Sequence, residues 1–312
     1  MTRGETQPRH EADPWTIGRI LTWSVGWLRE RGLVDSPRLD AELLLAEALG
    51  LTRMQLYMYF DKPLTAAERE PFRAALKRRA AGEPVAYIIG KKEFMGVSFA
   101  VTPAVLIPRP DTEVLVEAVL AWGKGKGLDK DEGWRILDVG TGSGCIAVAL
   151  AKQQPGAVVT AWDIDEAALA VARGNAAEQA AAVTFARVDA LSVEAWRSDD
   201  VPGDVFDVIV ANPPYIATRE EADLAPSVAR YEPRLALFAA ADGLAFYEVF
   251  AQRAAERLAP EGLLAVEIGH TQGPAVTALL AQAGWRHVRV LKDYERRDRV
   301  VLAERPAIEG CP

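Results

Sequence analysis

Arg135-Ile136-Leu137-Asp138-Val139 is a short apolar run carrying one acid, and Gly140-Thr141-Gly142-Ser143-Gly144 follows it without a break. Cys145-Ile146-Ala147-Val148-Ala149-Leu150-Ala151-Lys152 then reads as a helix. Strand, glycine loop and helix in this order point to a parallel α/β sheet. Glycines carry no Cβ, so a ligand can approach the backbone closely, and the helix N-terminus adds oriented N–H donors. The dinucleotide fingerprint G-x-G-x-x-G needs a third glycine where this chain has Cys145; Gly144 comes one residue early. The phosphate loop G-x-x-x-x-G-K-[ST] is absent, because no lysine follows the glycines. An aspartate before the loop, Asp138, would repel a phosphate but could pair with an ammonium group. The amino group of S-adenosylmethionine is such a group.

Working outward, the next apolar run, Val158-Val159-Thr160-Ala161-Trp162, ends in Asp163. A carboxylate there can accept hydrogen bonds from both hydroxyls of a ribose. Asp165 is the better candidate for the N-cap of the helix that follows. A third strand near 183–188 ends in Asp189-Ala190, where the acid either meets an adenine amino group or makes a turn. A fourth, Val205-Phe206-Asp207-Val208-Ile209-Val210-Ala211, runs into Asn212-Pro213-Pro214-Tyr215. An asparagine beyond a strand end can bind a planar amide or amine with both C=O and NH₂. The prolines have no N–H and fixed φ, so their carbonyls are rigidly placed, and Tyr215 offers an aromatic face. The competing reading of the tetrapeptide alone is a surface turn. Stretches 262–268, 288–291 and 300–303 complete the strands, the last two forming an antiparallel hairpin.

With both motifs in place the chain resembles the bacterial release-factor glutamine methyltransferases, the HemK-type (PrmC) family. The resemblance covers nearly the whole chain. It rests on Gly82-Glu83-Pro84-Val85-Ala86-Tyr87-Ile88, Leu106-Ile107-Pro108-Arg109-Pro110-Asp111-Thr112-Glu113, the glycine loop, Asn212-Pro213-Pro214-Tyr215-Ile216, Tyr231-Glu232-Pro233, Glu267-Ile268-Gly269 and Gln272-Gly273. Asn-Pro-Pro-Tyr is shared with adenine-N6 and other amino methyltransferases, whereas the 106–113 segment is much more specific to the glutamine enzymes. The resemblance implies a class I, seven-stranded, Rossmann-like methyltransferase fold. Its cofactor would be S-adenosyl-L-methionine, held by Asp138, Gly140, Thr141, Gly142, Ser143, Gly144, Asp163, Asp189, Ala190 and Asn212. Asn212, Pro213, Pro214 and Tyr215 would be catalytic, with Phe99, Arg109, Thr112 and Glu113 closing the substrate side. The implied substrate is the Gly-Gly-Gln glutamine of a class I peptide-chain release factor. A ribosomal-protein glutamine and a nucleic-acid adenine are the alternatives. Ala190 replaces an aromatic found in some members, and the turn at 293–299 lacks a glycine that many carry.

The 312 residues suggest one large or two smaller domains. Residues 1–14 read as a polar, disordered leader, 15–82 as a helical bundle that docks substrate, 83–110 as a β-hairpin linker and 111–312 as the catalytic domain. In the bundle, Ile17, Ile20, Leu21 and Val25 have helical spacing, Ser36-Pro37 opens a helix and Thr65-Ala66-Ala67-Glu68 is a capping box. Tyr57, Tyr59 and Phe60 are expected in its core, Arg73, Lys77, Arg78 and Arg79 at a solvated helix end, and 123–127 in a surface loop. Two cysteines, Cys145 and Cys311, make no disulfide framework. The histidines are scattered, so no metal site is expected. Thirty-six basic against 44 acidic residues give a net charge of −8, which lends no support to nucleic-acid binding. Without a signal peptide or transmembrane run, a cytoplasmic monomer with no membrane partner is the expectation.

Overall fold

The computed structural model describes residues 14–127, 133–198 and 205–305; most of the expected leader, and Cys311, lie outside them. The chain divides after Ile89 into two compact units. The first contains α1 (Ile17–Arg29), α2 (Pro37–Leu49), α3 (Arg53–Met58), α4 (Ala66–Ala80) and the short α5 (Val85–Ile89). Ile17, Ile20, Leu21 and Leu28 pack with Leu44, Leu45, Leu56, Phe72 and Leu76 into one apolar core. The capping box forms: Thr65 accepts from the Glu68 N–H, and Glu68 accepts from the Thr65 N–H at 2.8 Å. Pro37 opens α2, but the Ser36 hydroxyl donates to Asp40 at 3.1 Å instead of capping the helix. The aromatic trio is not core. Tyr57, Tyr59 and Phe60 are 52, 44 and 38% exposed, because the six-residue α3 buries only Leu56. Of the basic cluster, Arg73, Lys77 and Arg78 are exposed at the end of α4 as expected, whereas Arg79 is half-buried and ties α4 to Asp40 of α2 at 2.7 Å.

The second unit opens with a hairpin, β1 (Lys91–Phe94) and β2 (Val97–Ala100), and a single 3₁₀ turn, Pro110–Thr112, leads into α6 (Glu113–Gly125). The expected surface loop at 123–127 is therefore mostly helix. Gly123 suits this helix because the Trp134 ring occupies the space a Cβ would need. Then come β3 (Arg135–Val139), α7 (Cys145–Gln153), β4 (Val158–Asp163), α8 (Glu166–Glu178), β5 (Val183–Arg187) and β6 (Phe206–Ala211). An excursion follows, with β7 (Ile216–Ala217), α9 (Pro226–Tyr231), α10 (Arg234–Leu237), β8 (Phe238–Ala239) and the turn α11 (Ala240–Gly243). The chain finishes with α12 (Ala245–Arg253), β9 (Leu258–Glu267), α13 (Gly273–Gln282), β10 (Arg286–Lys292) and β11 (Asp298–Glu304).

The main sheet has seven strands in the order β10-β11-β9-β6-β3-β4-β5. β11 is antiparallel to both its neighbours and the other pairs are parallel. Strand order reverses at β3, whose sequence neighbour β4 lies on one side and β6 on the other; ligands of open α/β sheets bind at such a switch point. The register shows what lies there. Val139 pairs with Trp162 and Ala211, and Ala211 pairs with Val266. The residues that follow, Gly140, Asp163, Asn212 and Glu267, thus share one row at the carboxyl edge. No helix among the described residues is long and apolar enough to cross a membrane.

The β10–β11 turn tests the missing glycine. Asp293 Oδ1 accepts from Glu295 and Arg297 N–H, each at 2.9 Å, while Arg296 takes a left-handed φ of 65°. That conformation costs a side-chain-bearing residue roughly 1–2 kcal/mol, against roughly 0.5–1 kcal/mol for the greater unfolded freedom of glycine. Arg296→Gly is expected to raise Tm slightly in a thermal melt; a fall would contradict this account of the turn.

Candidate active site

A cleft opens over the row of strand ends. Gly140, Thr141, Gly142 and Ser143 line it, together with three acids, Asp163, Asp165 and Asp189. The loop is held from below. The fully buried Asp138 accepts from the Thr141 hydroxyl at 2.7 Å and from the Ala147 N–H at 3.2 Å. Asp138 is thus a strut under the loop and does not line the cleft; nor does Gly144, the N-cap residue of α7. Asn175 of α8 accepts from Ala100 N–H at 2.7 Å and donates to the Ser143 carbonyl at 2.8 Å, joining hairpin to loop.

Asp163 accepts from Gly142 N–H at 2.8 Å and Asp165 N–H at 3.0 Å, one on each oxygen. Each oxygen keeps a lone pair for a ligand hydroxyl. Asp165 caps α8 as expected, accepting from Ala167 N–H. Asp189 makes the turn bond, accepting from Leu191 N–H at 2.9 Å, and also lines the cleft beside Ala190. Ile164, Val188 and Leu191 add apolar surface. Arg109 is the one cation among the lining residues, and its charge is matched by Glu232 at 2.5 Å. An acidic wall with apolar patches fits a cationic nucleoside with free ribose hydroxyls and does not fit a pyrophosphate. Asp163→Ala is expected to weaken binding of S-adenosyl-L-methionine by about 1.5–3 kcal/mol for each charge-assisted bond lost. Calorimetry with unchanged affinity would remove Asp163 from the cofactor site.

Asn212, Pro213 and Pro214 also line the cleft, Asn212 one strand from Gly140. Asn212 Nδ2 donates to Thr112 Oγ1 at 3.2 Å, and among the described residues no hydrogen bond engages its Oδ1. Of the four residues expected to close the substrate side, Arg109 and Thr112 reach the cleft. Phe99 does not: it is fully buried, edge-to-face with Phe94 at 6.2 Å, on the inward face of the hairpin. Nor does Glu113, whose carboxylate accepts the Met95 N–H at 2.8 Å and fixes the hairpin turn. Tyr215 also sits off the cleft wall, with its carbonyl accepting from Gln272 Nε2 at 3.0 Å. Burial, with the nearby Glu267 charge, pushes the Tyr215 hydroxyl up to about 12.

Sequence reasoning passed over Glu232, Glu267 and Gln272 as site residues. Glu232 accepts from Ile107 N–H at 3.2 Å and pairs with Arg109, fastening the 106–113 segment beside the cleft. Gln272 clamps the segment after Asn212, while Glu267 ends β9 in the row of Asp163 and Asn212. The signal for Glu267 was present: an acid closing an apolar strand, as at Asp163.

Two fully buried carboxyls have raised pKa values. Burial pushes Asp138 up to about 7, against bonds from Thr141 and Ala147. Burial likewise pushes Glu267 up to about 7, against the Thr112 hydroxyl and the Arg299 charge. A carboxyl with a folded pKa above its unfolded value binds protons on folding. Its stability contribution is complete below the unfolded range and is lost as pH rises through the folded value. The Tm of the free protein is expected to fall between about pH 4 and about pH 7 from these two groups, with a shallower fall in Glu267→Gln. Melts showing the same slope in both proteins would exclude Glu267.

The sheet order, the switch-point cleft and its acidic wall define a class I methyltransferase that uses S-adenosyl-L-methionine. Residues 19–90 match the PrmC N-terminal domain and residues 125–229 the methyltransferase small domain. A release factor glutamine methyltransferase of Geobacter sulfurreducens is 43% identical over 287 residues, covering 92% of this chain and 96% of that protein. One from Moorella thermoacetica is 48% identical over 277 residues, covering 88 and 93%. Among solved structures, the hMettl16 catalytic domain in complex with MAT2A 3'UTR hairpin 1 has a TM-score of 0.54 at 18% identity, covering 76% of this chain and 83% of that one, a likeness of fold. The chain belongs to the release factor glutamine methyltransferase family.

Proposed function

We propose that this enzyme methylates the side-chain amide nitrogen (N5) of the glutamine in the Gly-Gly-Gln motif of class I peptide-chain release factors. The names of the relatives supply the substrate class. The observation that carries the chemistry is Asn212, whose Nδ2 is committed to Thr112 while its Oδ1 has no hydrogen-bond partner among the described residues. An amide nitrogen is a poor nucleophile because its lone pair is delocalised into the carbonyl. Asn212 Oδ1 and the Pro213 carbonyl accept its two N–H bonds, fix its plane and favour pyramidalisation. Both acceptors stabilise positive charge that develops on nitrogen, an effect felt more in the transition state than in the ground state. Holding the nitrogen in line with the methyl group contributes up to roughly 7–11 kcal/mol in favourable cases.

When bound, S-adenosyl-L-methionine supplies an electrophilic methyl group on a sulfonium. Gly140–Ser143, Asp163, Asp189 and Asn212 would hold it. The amide nitrogen would form the new N–C bond as the sulfonium S–C bond breaks, and its extra proton would leave to water afterwards. In this reading the first unit docks the release factor, and the enzyme works as a cytoplasmic monomer without direct contact to nucleic acid or membrane. The test is incubation with purified release factor and labelled S-adenosyl-L-methionine, with the modified residue mapped by mass spectrometry. Label on the Gly-Gly-Gln glutamine is expected. Label only on a ribosomal-protein glutamine or on adenine would overturn the assignment.

A further inference from the structure

An asparagine amide can turn over about its last bond with little change of shape, exchanging C=O for NH₂. The exchange is not neutral here. A substrate N–H needs an acceptor, and an NH₂ presented to it would set donor against donor. The partner behind Asn212 decides which end faces forward, and that partner is Thr112 Oγ1, 3.2 Å from Nδ2.

A hydroxyl has one hydrogen and two lone pairs. Thr112 accepts from Asn212 reliably only if its own hydrogen points elsewhere. Thr112 is buried, and its hydroxyl lies against the buried Glu267 carboxyl, whose charged form it favours. Glu267 Oε2 is buried and has no hydrogen-bond partner among the described residues. Register puts Glu267 in the same row as Asn212, one strand over, at a spacing of about 4.8 Å. Both supports are fixed. The Glu267 carbonyl accepts from the Tyr247 hydroxyl at 2.8 Å, and the Thr112 N–H donates to the Arg109 carbonyl at 3.1 Å within a turn that Glu232 fastens.

We propose that Thr112, with its hydroxyl drawn toward Glu267, is a positioning residue that sets the Asn212 amide with Oδ1 toward the substrate. Glu267 touches no reacting atom and acts only through Thr112. This inference rests on the amide-clamp reading above, and gives the 106–113 segment a task beyond walling the cleft.

The test compares Thr112→Val, which keeps the shape and loses the hydroxyl, with Thr112→Ser, which keeps the hydroxyl. Thr112→Val is expected to lower kcat on release factor by roughly 10²-fold, the order of loss caused by a small misplacement of a reacting group. Its affinity for S-adenosyl-L-methionine, read by calorimetry, is expected to hold. Thr112→Ser restores most of the rate. The double variant Asn212→Ala/Thr112→Val is no slower than Asn212→Ala, because residues acting in one chain do not add. A Val variant with wild-type kcat, a Ser variant as slow as Val, or a double variant that loses both factors in full would each overturn the proposal. A Val variant unable to bind cofactor would also count against it, since the role would then be structural. Wild-type enzyme runs in the same assay: its failure to label glutamine strikes the functional reading, whereas an active wild type matched by Thr112→Val strikes only this inference.

Discussion

Asn212→Ala is expected to lower kcat by roughly 10²–10³-fold, the loss seen when one preorganised group that stabilises transition-state charge is removed. The fold should survive, because the side chain makes a single described hydrogen bond, to Thr112. Most cofactor affinity should survive too, since Asp163 and the glycine loop remain. Asn212→Asp is also expected to be poor. It removes the NH₂ that Thr112 accepts and puts a negative charge one strand from Glu267. Single-turnover kinetics with saturating release factor separates chemistry from binding. Near-normal kcat in Asn212→Ala would end the amide-clamp mechanism.

Gly243→Ala is expected to cost on the order of 2–5 kcal/mol of stability, from a left-handed backbone together with overpacking. Gly243 has φ of 84°, and a Cβ there would lie 2.2 Å from the Tyr215 carbonyl oxygen and 2.9 Å from Gln272 Nε2. The first obstacle is backbone and cannot swing aside. Gln272 Nε2 meanwhile donates to both Tyr215 and Gly243 carbonyls, at 3.0 and 3.3 Å. The substitution therefore wedges apart the clamp that holds the residues after Pro214. Denaturant unfolding should show the loss, and kcat should fall further than cofactor affinity. Unchanged stability would mean that the 240–243 turn yields freely.

The row of polar residues at the carboxyl edge was legible because parallel strands fix its geometry. An apolar run names the strand, and the next polar residue must stand at its carboxyl edge. Asp163 and Asn212 follow from that rule alone. The direction of side chains away from the sheet did not follow. Phe99 and Glu113 lie in the segments that frame the cleft, yet hairpin alternation turns Phe99 inward, and Glu113 is spent on the Met95 N–H. Tyr57, Tyr59 and Phe60 looked like core because aromatic residues usually are. A helix of six residues has only about one and a half turns, enough to bury Leu56 and little else. The helix through Gly123 depended on Trp134, a partner eleven residues on whose placement no local pattern reveals.

The reversal of strand order at β3 also bears on how the enzyme comes into being. The glycine loop leaves β3 and Asn212 leaves β6, neighbours in the sheet but separated in the chain by the β4 and β5 crossovers. Pairing strands so distant requires closing a long loop first, and such contacts form slowly. A chain with β3, α7 and β4 in place has the cofactor loop but not the amide clamp. In refolding experiments, affinity for the cofactor should therefore appear before methyl transfer does, and transfer should arrive together with protection of the β6 amides from hydrogen exchange.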